Sequence, residues 1–126
     1  MKTESFVKKY QGKTLQDDGS VKSQDFIRFA RDFRSVVKDC AATIGANLKK
    51  FSVGHYFVSG FLEKDGKYVY FYYSEPRCMA IDLLRRDPMM GILVRTADGP
   101  TDYRGGRNNF CNIMEFASTA SNLLSA

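Results

Sequence analysis

The chain has 126 residues, 44% of them hydrophobic and 26% charged, which is the composition of one ordinary globular domain. It contains no apolar run near the roughly 20 residues that cross a membrane and no leader with an apolar centre, so we expect a cytoplasmic protein that binds no membrane. Nineteen basic residues against 14 acidic ones give a net charge of +5, which favours anionic partners such as nucleic acid.

Residues 1–22 are predicted to form a loosely attached arm. Phe6 and Tyr10 are spaced as in a short helical turn, but Gly12 and the turn-forming run DDGS at residues 17–20 interrupt the pattern. We therefore expect a single domain at residues 23–126.

Residues 23–44 are predicted to form the long N-terminal helix of this domain. Ser23 is a suitable N-cap, Gly45 ends the helix, and apolar residues recur between them at three- and four-residue steps. The opposite side of the helix carries a basic row, formed by Arg28, Arg31, Arg34 and Lys38. A charged helix face is usually only solvated, but a nucleic-acid backbone also binds along such a row.

Residues 51–74, FSVGHYFVSGFLEKDGKYVYFYYS, predict a β-hairpin with two alternative registers. A two-residue turn at Asp65-Gly66 sets Lys64 opposite Lys67, whereas a three-residue loop sets Glu63 opposite Lys67. We prefer the three-residue loop, because like charges directly opposite each other destabilise a sheet. This register predicts a core face made of Phe51, Val53, Phe57, Phe61, Val69, Phe71 and Tyr73.

The other face of the predicted hairpin is rich in tyrosine. It carries Tyr56, Val58, Leu62, Tyr68, Tyr70 and Tyr72. Bases of single-stranded nucleic acid stack on aromatic side chains that a sheet presents, so this face is a candidate binding platform at Tyr56, Tyr68, Tyr70 and Tyr72. The alternatives are that a helix covers the rings, or that a protein partner or a second copy of the chain does so.

Three more elements follow the hairpin. Residues 79–86 are predicted to form a short connecting helix, with a strand as the alternative. Residues 91–97 are predicted to form a third strand, and residues 110–124 a C-terminal helix. In the connecting helix, Ile81 and Leu84 are expected to face inward while Arg85 and Arg86 point outward. The predicted fold is α+β, with an antiparallel three-stranded sheet whose phenylalanine face is covered by the two long helices.

The segment RGGR, directly before the predicted C-terminal helix, is a candidate anion site. Two glycines allow a ligand to approach the backbone, and the first amides of a helix favour negative charge. We expect binding by Arg104, Gly105, Gly106, Arg107 and Asn108. The alternative is a plain glycine turn whose arginines bond to neighbouring acids such as Asp102.

Residues suited to catalysis are sparse. His55 is the single histidine, and Cys40, Cys78 and Cys111 are dispersed without metal-ligand spacing. We expect reduced core thiols, no cofactor, no metal and no catalytic site. A dyad of Cys78 and His55 is the one enzymatic alternative, since such partners meet only in the folded chain.

Residues 29–124 resemble small uncharacterised proteins encoded on conjugative transposons of Gram-positive gut bacteria. The resemblance is carried by the runs YFYYSEP and GILVRTADGPTDYRGGRNNF and by the aromatic helix before them. It implies a cytoplasmic accessory protein of a mobile element, and such accessories handle DNA, regulate transfer or bind a host defence protein.

Taken with the charge, these features favour a non-enzymatic protein that binds nucleic acid through its backbone charge. The binding residues would be Arg104, Arg107 and the basic rows that contain Arg28, Arg31, Arg85 and Arg86. The second hypothesis is a protein-interaction module or inhibitor that uses the tyrosine-rich face. A cysteine-dependent enzyme is a distant third.

Overall fold

The computed structural model describes residues 2–15, 24–75, 79–103 and 106–125. This part of the chain forms a five-stranded antiparallel sheet with two helices packed on one face and a third helix packed on one of these two. The helices are α1 (Lys2–Tyr10), α2 (Gln24–Thr43) and α3 (Phe116–Ser125). The strands lie in chain order, as β1 (Asn47–Gly54), β2 (Phe57–Lys64), β3 (Lys67–Ser74), β4 (Ile92–Ala97) and β5 (Asn109–Cys111). The α+β class is confirmed, but the predicted sheet lacked two of these strands.

Helix α2 forms the centre of the core, as its apolar spacing predicted. Phe29 and Phe33 are fully buried on its inner side, and the ring of Phe33 stacks on that of Tyr73 at 5.5 Å between centroids. On the same strand as Tyr73, the ring of Phe71 meets that of Phe116 of α3 edge-on, with 5.5 Å between centroids. Burying such rings removes large apolar areas from water, so these contacts are a main source of stability.

Helix α1 is packed into the core, in contrast to the loose arm expected for this region. Phe6 and Tyr10 are buried, and the ring of Phe6 lies 5.4 Å from that of Phe29. Gly12 ends the helix and begins a backbone pairing, because its amide donates to the carbonyl of Ile81 at 2.8 Å. Residues 16–23, which include the predicted N-cap of α2, lie outside the described residues.

A polar contact fixes α1 to the outer side of α2. Asp32 accepts hydrogen bonds from the Tyr10 hydroxyl at 2.6 Å and from Lys9 Nζ at 2.8 Å. Partial burial of Asp32 opposes ionisation, but the hydrogen bonds from Lys9 and Tyr10 outweigh it and lower the pKa of the carboxyl group. Because the folded-state pKa lies below the unfolded value, this contact stabilises the fold most above about pH 4.

The β2–β3 hairpin uses the register that the sequence analysis rejected. Lys64 lies opposite Lys67, and Asp65 and Gly66 both have positive φ, at 52° and 81°. Such a turn matches the twist of the flanking strands, and the amide of Gly66 also donates to Glu63 Oε2 at 2.9 Å. These gains exceed the repulsion between two lysines at an exposed hairpin end, where water screens their charges.

The register reverses the predicted faces of β2. Val58 and Leu62 are buried against the helices, whereas Phe57 and Phe61 lie on the opposite face. Between the two buried residues, Gly60 leaves space for the ring of Phe71, since a Cβ there would lie 2.7 Å from that ring. The faces predicted for β3 are correct, with Val69, Phe71 and Tyr73 in the core.

The run predicted as the first hairpin strand is in fact two strands. A tight turn at His55 and Tyr56 joins β1 to β2, with Gly54 opposite Phe57. Tyr56 adopts a left-handed backbone at φ 62° and is buried beside Phe26, 5.5 Å between ring centroids. Tyr56 therefore belongs to the core and not to the tyrosine-rich face.

The predicted connecting helix does not form. The backbone of Ile81 and Leu83 bonds to the segment after α1, through the carbonyl of Lys13 at 2.7 Å and the side-chain oxygen of Gln11 at 2.7 Å. These bonds replace helical ones, and residues 83–84 form only a turn, so Ile81 and Leu83 are buried while Leu84, expected inside, is 46% exposed. Tertiary pairing thus overrides a weak local helical pattern.

The C-terminal helix begins later than predicted. Residues 109–111 form β5, a 3-10 helix follows at Ile113–Glu115, and α3 starts at Phe116. Asn112 caps this start, because its side chain accepts from the amide of Glu115 at 2.8 Å while Glu115 accepts from the amide of Asn112 at 3.1 Å. The third predicted strand is confirmed as β4, in the interior of the sheet.

Replacing Phe6 with alanine tests the packing of α1. We expect Phe6→Ala to lower the free energy of unfolding by about 3–5 kcal/mol, because it empties a space between the rings of α2. Urea denaturation measures the change. The control is Lys8→Ala at an exposed position of the same helix, which should change the free energy of unfolding by no more than about 0.5 kcal/mol. Equal stability of the two variants would show that residues 2–10 form a loose arm.

Replacing Asp32 with asparagine tests the polar contact on α1. Asp32→Asn should destabilise the fold at neutral pH, and the difference from wild type should shrink as the pH falls through the folded-state pKa of Asp32. Urea denaturation across an acidic pH series measures it. The exposed turn variant Asp65→Asn is the control, and a difference that stays constant with pH would contradict this role for Asp32.

Candidate nucleic-acid interface

The sheet face opposite the helices, here called the open face, is an aromatic surface. Helices α2 and α3 pack against the other face, where the buried core lies, and α1 packs on α2. The strand register places on the open face the side chains of Lys50, Phe57, Phe61, Tyr68, Tyr70, Tyr72, Leu93, Arg95 and Phe110. Three of the four tyrosines predicted for a platform, at positions 68, 70 and 72, are thus together.

Aromatic rings on the open face pack against one another across strands. Phe57 and Tyr72 stack with 5.3 Å between centroids and 24° between planes. Next to them, Phe61 lies 5.1 Å from Tyr70. Tyr103, from the loop after β4, meets the Phe61 ring edge-on at 5.4 Å and is itself 49% exposed. Partners hold these rings in fixed orientations, so the face presents an ordered aromatic surface.

A buried arginine organises one end of the open face. Arg95 is only 4% exposed, and its guanidinium carbon lies 4.5 Å above the ring of Tyr70. It donates to the carbonyl oxygens of Thr96 at 3.3 Å and Asp102 at 3.1 Å. Arg95 therefore connects β4 to the loop that carries Tyr103. Its buried guanidinium stabilises this loop and is not exposed for contact with a ligand.

Burial and charge have opposite effects on the pKa of Tyr70, and a lysine bonds to the neighbouring Tyr103. Burial raises the pKa of Tyr70, although a hydrogen bond with Ser59 and the charge of Arg95 oppose the rise. The hydroxyl of Tyr103 accepts a hydrogen bond from Lys50 Nζ at 2.7 Å. Lys50 is exposed, so it keeps positive charge at the margin of the aromatic surface.

The anion site predicted at RGGR is not formed at a helix N-terminus. Asn109 begins a strand, and the first helical amides lie beyond it, where the side chain of Asn112 already caps them. Gly106 packs against β4, since a Cβ there would overlap the carbonyl oxygen of Thr96. Arg107 and Asn108 are exposed in the loop. Arg104 and Gly105 lie outside the described residues.

Four of the arginines in the predicted basic rows lie beside acids. Arg28 bonds to Asp25 at 2.7 Å, Arg85 to Asp87 at 3.0 Å and Arg86 to Glu115 at 3.2 Å; Arg31 lies 3.6 Å from Asp32. Exposed ion pairs like these are weak, so they can exchange partners, but each acid cancels part of the local positive field. The rows lie on the helix side of the molecule and do not join the open face.

The sulfur and imidazole groups form no joint site in the described chain. Cys40 and Cys111 are buried free thiols, as predicted, and burial raises the pKa of Cys111 to about 11. His55 is exposed in the β1–β2 turn, whereas the sequence analysis placed it within a strand. Cys78 lies outside the described residues. Among described residues, no group of three His, Cys, Asp or Glu side chains is arranged to hold a metal ion.

Comparison of the chain with protein-family models, curated proteins and solved structures finds no match. The resemblance to transposon-encoded proteins therefore stays a prediction. No helix in the described ranges is both long and apolar enough to cross a membrane. The function has to be inferred from the geometry of the surfaces themselves.

Replacing Arg95 with methionine tests its role in ordering the open face. Arg95→Met keeps most of the volume but removes the donors to the carbonyls of Thr96 and Asp102, so we expect a loss of about 1–3 kcal/mol. Faster amide hydrogen exchange in residues 98–103 should accompany it. Arg107→Met, in the exposed loop, is the matched control, and identical exchange in the two variants would contradict the proposed anchoring.

Proposed function

We propose that this protein is a non-enzymatic nucleic-acid-binding protein that holds a single strand on the open face of its sheet. One observation carries the proposal. A sheet face that no described helix covers presents a cross-strand row of ordered aromatic rings, in which Phe61 is buried and Phe57, Tyr70 and Tyr72 are half-buried, on a chain of net charge +5. Single-stranded nucleic acid binds surfaces of this kind, because every base has a flat face that stacks on an aromatic ring.

The spacing of the tyrosines supports an extended strand as the ligand. Tyr68, Tyr70 and Tyr72 alternate along β3, so successive side chains lie about 7 Å apart. Phe57 on β2 and Leu93 on β4 widen the surface on either side of Tyr72. Several successive bases can therefore contact the same face without the protein reading their edges, which favours binding of many sequences.

Cations at the margin supply the attraction for phosphates. Lys50 is exposed and donates to the Tyr103 hydroxyl at 2.7 Å, and Arg107 is exposed four positions after Tyr103 in the chain. This differs from the hypothesis drawn from the sequence, in which rows of arginines bound the backbone. Most of those arginines lie beside acids on the other side of the protein, so stacking is the main proposed contact and charge is secondary.

The sequence resemblance also supports a cellular role for this binding. The resemblance to transposon-encoded proteins supports a cytoplasmic accessory role in a mobile element, where single strands arise during DNA transfer. The proposal involves no catalytic residue, metal or cofactor.

The packed rings of the same face favour protein binding as a second candidate function. A partly exposed patch of aromatic residues also suits a protein partner, either a target that the protein inhibits or a second copy of this chain. In that case the rings would be buried in a dry interface, and Tyr72 would be near its centre.

Replacing Tyr72 with alanine tests the stacking contact. Tyr72→Ala should weaken binding of a fluorescein-labelled oligothymidylate by about 1–3 kcal/mol, which is roughly 5- to 150-fold in Kd, because one ring of the platform is lost. Fluorescence anisotropy at low salt measures the affinity. Tyr72→Phe should bind like wild type, since the ring remains.

Two controls separate the candidates. Ile27→Ala, at a position 41% exposed on α2 and so on the helix side of the sheet, should leave the affinity unchanged. A duplex of the same length should bind more weakly than the single strand, because its bases are already stacked. Absence of binding to any oligonucleotide at low salt would contradict the proposal, and a dimer that Tyr72→Ala dissociates would favour the protein-binding candidate.

A further inference from the structure

A second surface lies on the opposite side of the protein, between α2 and β1. It is a groove of about 650 Å³, within the usual range for ligand sites. Apolar side chains form its walls, with Ile27 and Ala30 on the helix and Phe51 and Val53 on the strand. Ile27 is 41% exposed and Val53 is 54% exposed, so both walls are open to an incoming apolar group.

The strand beside this groove is the edge of the sheet. β1 pairs with β2 on one side, and within the described residues no strand pairs with its other side. A bulge lies between Leu48 and Lys50, and beyond it residues 50–54 pair regularly with β2. An edge strand presents unpaired backbone amides and carbonyls, which an extended peptide satisfies by adding a strand.

The helix side of the groove is positively charged. Arg31 and Arg34 line it and are exposed. Asp32, the acid nearest to Arg31, is held by Lys9 at 2.8 Å, and Arg31 lies farther from it at 3.6 Å. In the described part of the chain, no carboxylate lies within ion-pair distance of Arg34. An acidic ligand would therefore complete an ion pair there.

We infer that this groove binds an extended peptide of another protein, with an apolar and an acidic residue two positions apart. The peptide backbone adds to the free edge of β1. Side chains two positions apart on a strand point to the same side, so both can enter the groove together. The apolar one packs between Ile27 and Val53, and the acidic one pairs with Arg34. This inference is independent of the proposed function, which uses the other face.

The test uses a fluorescein-labelled peptide with the sequence Val-Thr-Asp-Thr-Val. Its two valines and its aspartate lie on one side of an extended strand, and its threonines lie on the other. Fluorescence anisotropy should detect saturable binding to the full chain. Arg34→Gln should weaken that binding at least about tenfold, because a charged hydrogen-bond partner is lost. Lys38→Gln is the matched control, since Lys38 is exposed one turn farther along the same helix and does not line the groove. It should bind like wild type.

Further arms test the geometry. The same peptide with lysine in place of aspartate, or N-methylated at every backbone amide to block strand pairing in either orientation, should bind at least about tenfold more weakly. Tyr72→Ala should leave peptide binding unchanged, which separates this site from the open face. Equal binding of the N-methylated peptide, or no binding of the aspartate peptide, would overturn the inference. A dimer that Val53→Lys dissociates would also overturn it, because a second copy would then occupy the edge.

Discussion

The turn at Asp65-Gly66 determines which side chains of β2 face the helices, and most of the structure depends on it. With this register Val58 and Leu62 complete the core, and Gly60 makes room for the ring of Phe71. The same register moves two phenylalanines onto the opposite face, where they pack with Tyr70 and Tyr72. A slip of one residue would exchange both sets, so the core and the open face are specified together.

Aromatic rings on a sheet face that no helix covers can cause unspecific association, and here the contacts among the rings partly shield them from solvent. Tyr103 covers one edge of Phe61, and Arg95 holds the loop that positions Tyr103 through two backbone carbonyls. A free hydrophobic face would favour association of many kinds. An ordered set of rings with a cation at its margin favours flat ligands that carry negative charge, which supports the proposal of nucleic acid over protein as the ligand.

Strong local periodicity was predictable from the sequence, whereas features set by tertiary contacts were not. Helix α2, strand β4 and the inward side of β3 follow from apolar spacing alone. The register was predicted wrongly because repulsion between Lys64 and Lys67 was weighted above the backbone preference of Asp-Gly. The extended segment at Ile81 depends on the carbonyl of Lys13, a partner distant in sequence. At the candidate site, the three alternating tyrosines were predictable, but the role of Arg95 requires the loop that its side chain binds.

Strand β1 links the two surfaces, because its successive side chains face opposite sides of the sheet. Lys50 lies at the margin of the open face, whereas Phe51 and Val53 line the groove beneath α2. A peptide strand added to the edge of β1 would likewise present alternate side chains on the open face. It would therefore extend that face by one strand as it fills the groove. Binding at the edge would thus change the width of the aromatic platform through backbone pairing alone, without any rearrangement of the core.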